Sequence, residues 1–138
     1  NDFQYRLMLF GRNAICYTDA PTMKISTLNI KEGDVAIGIS HSGRTKATVD
    51  TLKLAGENGA KTVCITSYPE SDITSVCDYS IEIHSDEIQY PIEAISARIA
   101  HLSVIEAITI ALSSENYNEA SERSKKSHEL INTLRYGK

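Results

Sequence analysis

Short apolar runs alternate along this chain with stretches in which apolar residues recur every three or four positions. Phe3, Leu7 and Phe10 share one face of a helix that Gly11 stops. Residues 13–18 read as a short strand. A helix over 21–31 opens with Pro21, a residue suited to a first turn. Gly33-Asp34 turns the chain into a strand over 35–40. A helix over 45–58 presents Val49, Leu52 and Ala55, and Gly59 caps it. A strand over 61–66 ends at the turn Tyr68-Pro69. A short helix over 72–77, capped by Ser71 or Asp72, leads to a strand over 79–84 and a loop over 85–91.

The longest predicted helix covers 92–112. Its apolar residues (Ile92, Ile95, Ile99 and Leu102, then Val104, Ile105, Ile108, Ala111 and Leu112) fill more than one stripe. A helix apolar on several sides is covered on several sides, and a second subunit is the expected source of part of that cover. The last helix, 116–134, is highly charged, with Ala120, Leu130, Ile131 and Leu134 as its few core positions. The strands are continuous apolar runs set between helices. That predicts an α/β fold whose parallel sheet is covered by helices on both faces. Ligands of such sheets sit beyond the carboxyl ends of the strands. Residues 40–45, Ser67-Tyr68 and His84-Ser85 occupy those ends.

Size and composition narrow the classes. The 138 residues suffice for one domain with a real core. With 14 basic and 18 acidic residues the net charge is −4, which argues against a nucleic-acid surface on this chain itself. No apolar run approaches the ~20 residues that span a membrane. The start, Asn1-Asp2-Phe3-Gln4, carries no initiator Met and no signal-peptide pattern, so further residues are expected upstream. Cys16, Cys64 and Cys77 lack metal-ligand spacing. They read as reduced thiols of a cytoplasmic protein, Cys16 and Cys64 as small hydrophobes within strands.

The chemistry concentrates in Ile39-Ser40-His41-Ser42-Gly43-Arg44-Thr45. A strand, a Ser/Gly loop and a helix start form the local architecture of an anion site, because free N–H groups at a helix N-terminus favour negative charge. Ser40, Ser42 and Thr45 add hydroxyl donors, Gly43 permits close approach, and Arg44 adds charge at the rim. Phosphate is the simplest ligand for such a cradle. The same residue types also make an ordinary turn and helix cap, and spacing alone leaves both readings open. No Lys follows the Gly, so the loop is not a Walker A motif, and it is not a GxGxxG fingerprint.

The stretch Asp34-Val35-Ala36-Ile37-Gly38-Ile39-Ser40-His41-Ser42-Gly43-Arg44-Thr45 resembles the second-half signature of the sugar isomerase (SIS) domain. So does Asn58-Gly59-Ala60-Lys61-Thr62-Val63-Cys64-Ile65-Thr66, with Cys77-Asp78 beyond it. Asp2-Phe3-Gln4-Tyr5-Arg6-Leu7-Met8-Leu9-Phe10-Gly11 and Ser96-Ala97-Arg98-Ile99-Ala100-His101-Leu102 are similar to SIS domains of RpiR-type transcriptional regulators. The resemblance implies a flavodoxin-like fold, phosphosugar binding and homodimers, with DNA bound through a separate helix-turn-helix domain outside this chain. By position it places Ser40, Ser42, Gly43 and Thr45 in the phosphate loop. It also implies that this chain is a single SIS domain, truncated at its N-terminus. The missing first strand, with its own Gly/Ser loop, would sit mid-sheet between the strands matching 13–18 and 35–40.

Further candidates are carboxylate, imidazole and guanidinium side chains. Glu93 opens the long helix, where SIS proteins often place a sugar-contacting carboxylate; it also suits a first turn for local reasons. His41 lies in the loop. His84 and His101 are possible acid/base groups in an isomerase, Arg98 reads as structural, and His128 as solvated. No metal, cofactor or catalytic set is expected. The leading expectation is the effector domain of a carbohydrate-responsive regulator, binding a sugar phosphate through Ser40, His41, Ser42, Gly43, Arg44, Thr45 and Glu93. The alternative is an aldose–ketose phosphate isomerase.

Overall fold

Three short runs, each rich in β-branched or apolar residues, pair into a parallel sheet. The strands are β1 (Val35–Ile39), β2 (Lys61–Thr66) and β3 (Tyr79–Glu82), in the order β1-β2-β3. The helices are α1 (Asp2–Leu9), α2 (Ala20–Ser26), α3 (Lys46–Glu57), α4 (Ile95–Glu115) and α5 (Tyr117–Asn132). Single 3-10 turns cover Thr27–Asn29 and Thr74–Val76. The computed structural model describes residues 1–84, 95–115 and 117–134. The chain divides into two compact units, one of residues 17–101 and one of residues 1–16 with 102–138.

The sheet belongs to the first unit. Ile37 aligns with Val63, Gly38 with Cys64, and Ile39 with Ile65, while Ile65 aligns with Ile81. Residues in register share a face of the sheet, so Gly38 and Cys64 point one way and Ile39, Ile65 and Ile81 the other. α3 packs on the Gly38–Cys64 face. There Leu52, Cys64 and Ile73 form the buried core, edged by Ala36, Val49, Val76 and Cys77. Gly38 is what lets α3 come so close: a Cβ there would stand 3.2 Å from both Leu52 and Ile73. Asp19 caps α2 by accepting from the Thr22 amide, with Pro21 in the first turn as the sequence predicts.

The other unit pairs α1 with α5 and includes the second part of α4. Arg6 bridges Asp2 (2.8 Å) and Glu106 (2.7 Å). Among the described residues of this unit, Ala120 on α5 and Thr109 on α4 are buried.

Several expectations need correction. Residues 13–18 are not a strand: Ile15 is 72% exposed, and the Cys16 amide donates to the Gln4 side chain. A strand exists only where a neighbouring backbone completes its ladder, and among the described residues β1 has β2 as its one partner. Cys16 is accordingly exposed rather than a core hydrophobe. The helix expected over 72–77 shrinks to the turn Thr74–Val76, and that over 21–31 to α2 plus the following 3-10 turn. The loop over 85–91, the helix start at 92–94 and Glu93 lie outside the described residues. Within α4, Ser96–Ser114 is long and apolar enough to cross a membrane by length and composition, at a mean hydropathy of 1.3. Arg98, His101 and Glu106 interrupt this stretch, so its unbroken apolar runs are short.

Candidate functional site

β1 and β2 deliver their last residues side by side at the carboxyl edge of the sheet. The ladder continues one step past β1, where the Ser40 amide donates to the Ile65 carbonyl (3.0 Å), and the chain then leaves the sheet. His41 accepts through its carbonyl from the Ser67 amide (3.0 Å) and from the Thr66 hydroxyl (3.1 Å). The Gly43 amide closes a turn onto the Ser40 carbonyl (3.1 Å), and the Gly43 carbonyl accepts from the Ile73 amide (2.9 Å). The loop is thus fixed by backbone bonds to both the β2 end and the segment after it.

Gly43 is required twice over. Its φ is +65°, in the left-handed region that L side chains avoid. A Cβ there would overlap the Ser71 hydroxyl and stand 2.5 Å from Ser71 Cβ and 3.0 Å from Thr66 Oγ1. Ser71 is in turn held by donating to the Tyr68 carbonyl (2.7 Å).

The start of α3 is open. Thr45 occupies the N-cap position in extended conformation but makes no side-chain cap bond; its hydroxyl lies 3.1 Å from Ser40 Oγ instead. The first amides of a helix have no acceptor within the helix. Ser42 Oγ accepts the Arg44 amide at 3.3 Å. Ser40 is buried, whereas Ser42, Arg44 and Thr45 are exposed. Lys46 turns its charge onto Asp50 (2.9 Å), and this bond holds the Asp50 carboxyl below the usual carboxylate range. The positive character of the loop therefore rests on amides and on Arg44. Its open amides and hydroxyls match what a phosphate monoester accepts.

Beside the loop stands a cluster that no local spacing announces. His41 Nδ1 and Ser67 Oγ are 2.9 Å apart. The His41 ring meets Tyr68 edge-on at 5.6 Å and His101 of α4 at 6.0 Å. His101 Nδ1 is anchored at 2.7 Å to the Ala97 carbonyl, so that nitrogen is the donor. Its Nε2 is buried with no hydrogen-bond partner among the described residues. The sequence names His41 and His101 singly and sets Ser67 at a ligand-side strand end; the meeting of these side chains, and the roles of Thr66 and Ser71, come only from the fold. Two strand ends side by side were the available signal for Thr66 and Ser67. His84 is exposed after β3, Arg98 is exposed on α4, and His128 bonds the Ser124 carbonyl on the exposed face of α5. Glu93 lies outside the described residues. No group of three metal-binding side chains occurs among the described residues.

A family model for the SIS domain matches residues 1–111. The HTH-type transcriptional regulator RpiR of Escherichia coli K12 is 32% identical over 130 residues, 94% of this chain and 44% of the regulator. The chain thus spans less than half the length of that curated relative. Among solved structures, the Vibrio vulnificus NanR protein complexed with ManNAc-6P superposes with a TM-score of 0.88 at 22% identity, over 99% of this chain and 51% of that one. A Methanococcus jannaschii protein with an inferred function of 3-hexulose-6-phosphate isomerase superposes with a TM-score of 0.69 at 18% identity, over 88% of this chain and 67% of that one. At such identities the superpositions establish a shared fold.

Proposed function

The chain belongs to the SIS-domain family, and on that premise we propose that it is the phosphosugar-binding part of a DNA-binding regulator of carbohydrate metabolism. The observation that carries the reading is the uncapped start of α3, with the Thr45 hydroxyl drawn to Ser40 and Gly43 keeping the loop clear. A phosphate takes the open amides and the hydroxyls of Ser40, Ser42 and Thr45, with Arg44 at the rim. His41 and His101 face the sugar, and Glu93 is a further candidate contact. The NanR complex supports a phosphosugar ligand and the RpiR relative supports a regulatory role. The reading of this chain as one SIS domain, the cytoplasmic location and a DNA-binding domain elsewhere in the full protein belong to the same proposal. So does a homodimer, supported by Ile99, Leu102 and Ile110 of α4, each more than half exposed. Glu106, ion-paired to Arg6, argues against reading α4 as a membrane span.

In this role the domain transmits occupancy and catalyses nothing. A sugar phosphate shifts DNA affinity only by the difference in its affinity for two arrangements of the regulator. A second reading, an aldose–ketose phosphate isomerase, has one observation in its favour. His101 Nε2 is buried, has no hydrogen-bond partner among the described residues and lies close to His41, and isomerisation needs a base near C1 and C2 of the sugar.

Calorimetric titration of the full-length regulator with hexose, amino-sugar and pentose phosphates tests the proposal. Ser42→Ala is expected to weaken the bound sugar phosphate by one charge-assisted hydrogen bond, about 1.5–3 kcal/mol. Unchanged affinity refutes the site. Interconversion of an aldose and a ketose phosphate at enzymatic rates replaces the regulator with the isomerase.

A further inference from the structure

Cys64 and Cys77 are thirteen positions apart in sequence, and their sulfurs stand 3.0 Å apart. Nothing in the phosphate-loop chemistry uses them. Cys64 is central in β2, fully buried between Leu52 and Ile73. Cys77 is half-buried, directly after the Thr74–Val76 turn. Its backbone position is fixed on both sides. Ahead of it, the Thr74 hydroxyl donates to the Ser71 carbonyl (2.8 Å) and the Ile73 amide to Gly43. Behind it, the Asp78 carboxylate accepts from the Thr62 amide (2.8 Å) and hydroxyl (3.1 Å), and the Asp78 amide donates back to Thr62 Oγ1 (2.9 Å). Two thiols held in register by such a clamp need a movement of about 1 Å to reach disulfide bonding distance.

We propose that Cys64 and Cys77 are an oxidation site that closes to an intrachain disulfide, tying the segment behind the Ser-rich loop to the central strand. The oxidant is a peroxide. Cys77, the accessible partner, attacks one peroxide oxygen and becomes a sulfenic acid as the other oxygen leaves as hydroxide and takes up a proton. The Cys64 sulfur then attacks the Cys77 sulfur, its proton goes to the departing hydroxide, and water leaves. Two thiols lose two electrons and one hydrogen peroxide becomes two waters. Cys64 is fully buried and Cys77 is not, so peroxide reaches Cys77 first and Cys64 acts as the resolving thiol; burial also raises the Cys64 pKa. The consequence for the loop is direct, because the Ile73 amide that bonds Gly43 lies four residues from the cross-link. The inference stands whether or not the loop binds a sugar phosphate.

The experiment uses the full-length protein carrying Cys16→Ser, which removes the exposed thiol of this chain as a source of links between molecules. Folded protein is treated with hydrogen peroxide, unfolded in the presence of an alkylating agent, and analysed by mass spectrometry. The expected product has lost two hydrogens and escapes alkylation at both positions. Its digest joins the Cys64 peptide to the Cys77 peptide, and dithiothreitol reverses the change. Cys77→Ser abolishes the product. Hydrogen exchange at the Ile73 amide is slower in the oxidised form. Alkylation of both Cys64 and Cys77 after peroxide treatment, or accumulation of Cys77 sulfinic acid without the cross-link, overturns the proposal.

Discussion

Gly43→Ala isolates how the fold holds its loop open. The substitution has two costs. The left-handed backbone at φ +65° disfavours any Cβ by roughly 1–2 kcal/mol. The new methyl also overlaps Ser71, whose Cβ lies 2.5 Å away, and must displace it. That breaks the Ser71 bond to the Tyr68 carbonyl, about 0.5–1.5 kcal/mol net. The sum is roughly 1.5–3.5 kcal/mol, a large share of a typical domain's stability. A Ser71→Gly background separates the costs, because it removes both overlapping atoms while leaving φ unchanged. Urea unfolding of the four proteins in this cycle measures the coupling. The cost of Gly43→Ala is expected to fall to about 1–2 kcal/mol in that background, the backbone part alone. A substitution tolerated within about 0.5 kcal/mol, or one costing the same in both backgrounds, refutes the argument that Ser71 shapes the loop.

Leu52→Ala removes the α3 side chain that meets Gly38, Cys64 and Ile73, and should cost about 2–5 kcal/mol in urea unfolding; less than about 1 kcal/mol would mean the core lies elsewhere. Asp78 is held below the usual carboxylate range, first by the Thr62 amide and then by its hydroxyl. A depressed folded pKa contributes stability above the unfolded value, about 3.9, that is lost as pH falls through the folded value. The gap in urea midpoint between the native chain and Asp78→Asn should therefore be full at neutral pH and shrink below about pH 4. A gap constant across that range contradicts the assignment. The full-length protein should scatter light as a dimer at micromolar concentration, with Leu102→Lys shifting it toward monomer; a native monomer refutes the role given to α4.

Local pattern determined a good deal of this protein. Apolar runs bounded by Gly33-Asp34 and Tyr68-Pro69 mark β1 and β2, and the helical spacing of Val49, Leu52 and Ala55 marks α3, because burial on one face writes a period into the chain. Gly43, set between a strand and a helix, marks a tight turn by its residue type. Residues 13–18 carry the same apolar signal as a strand and are none, since a ladder needs a neighbour and sequence pattern cannot see one. The tertiary structure alone decided that Thr45 turns to Ser40 and leaves the start of α3 uncapped. It also set Ser71 and Thr66 against Gly43, His41 beside Ser67 and His101, and Cys64 against Cys77. These pairs come from different elements, and side chains far apart in sequence meet only where the sheet and its crossovers bring the backbones together.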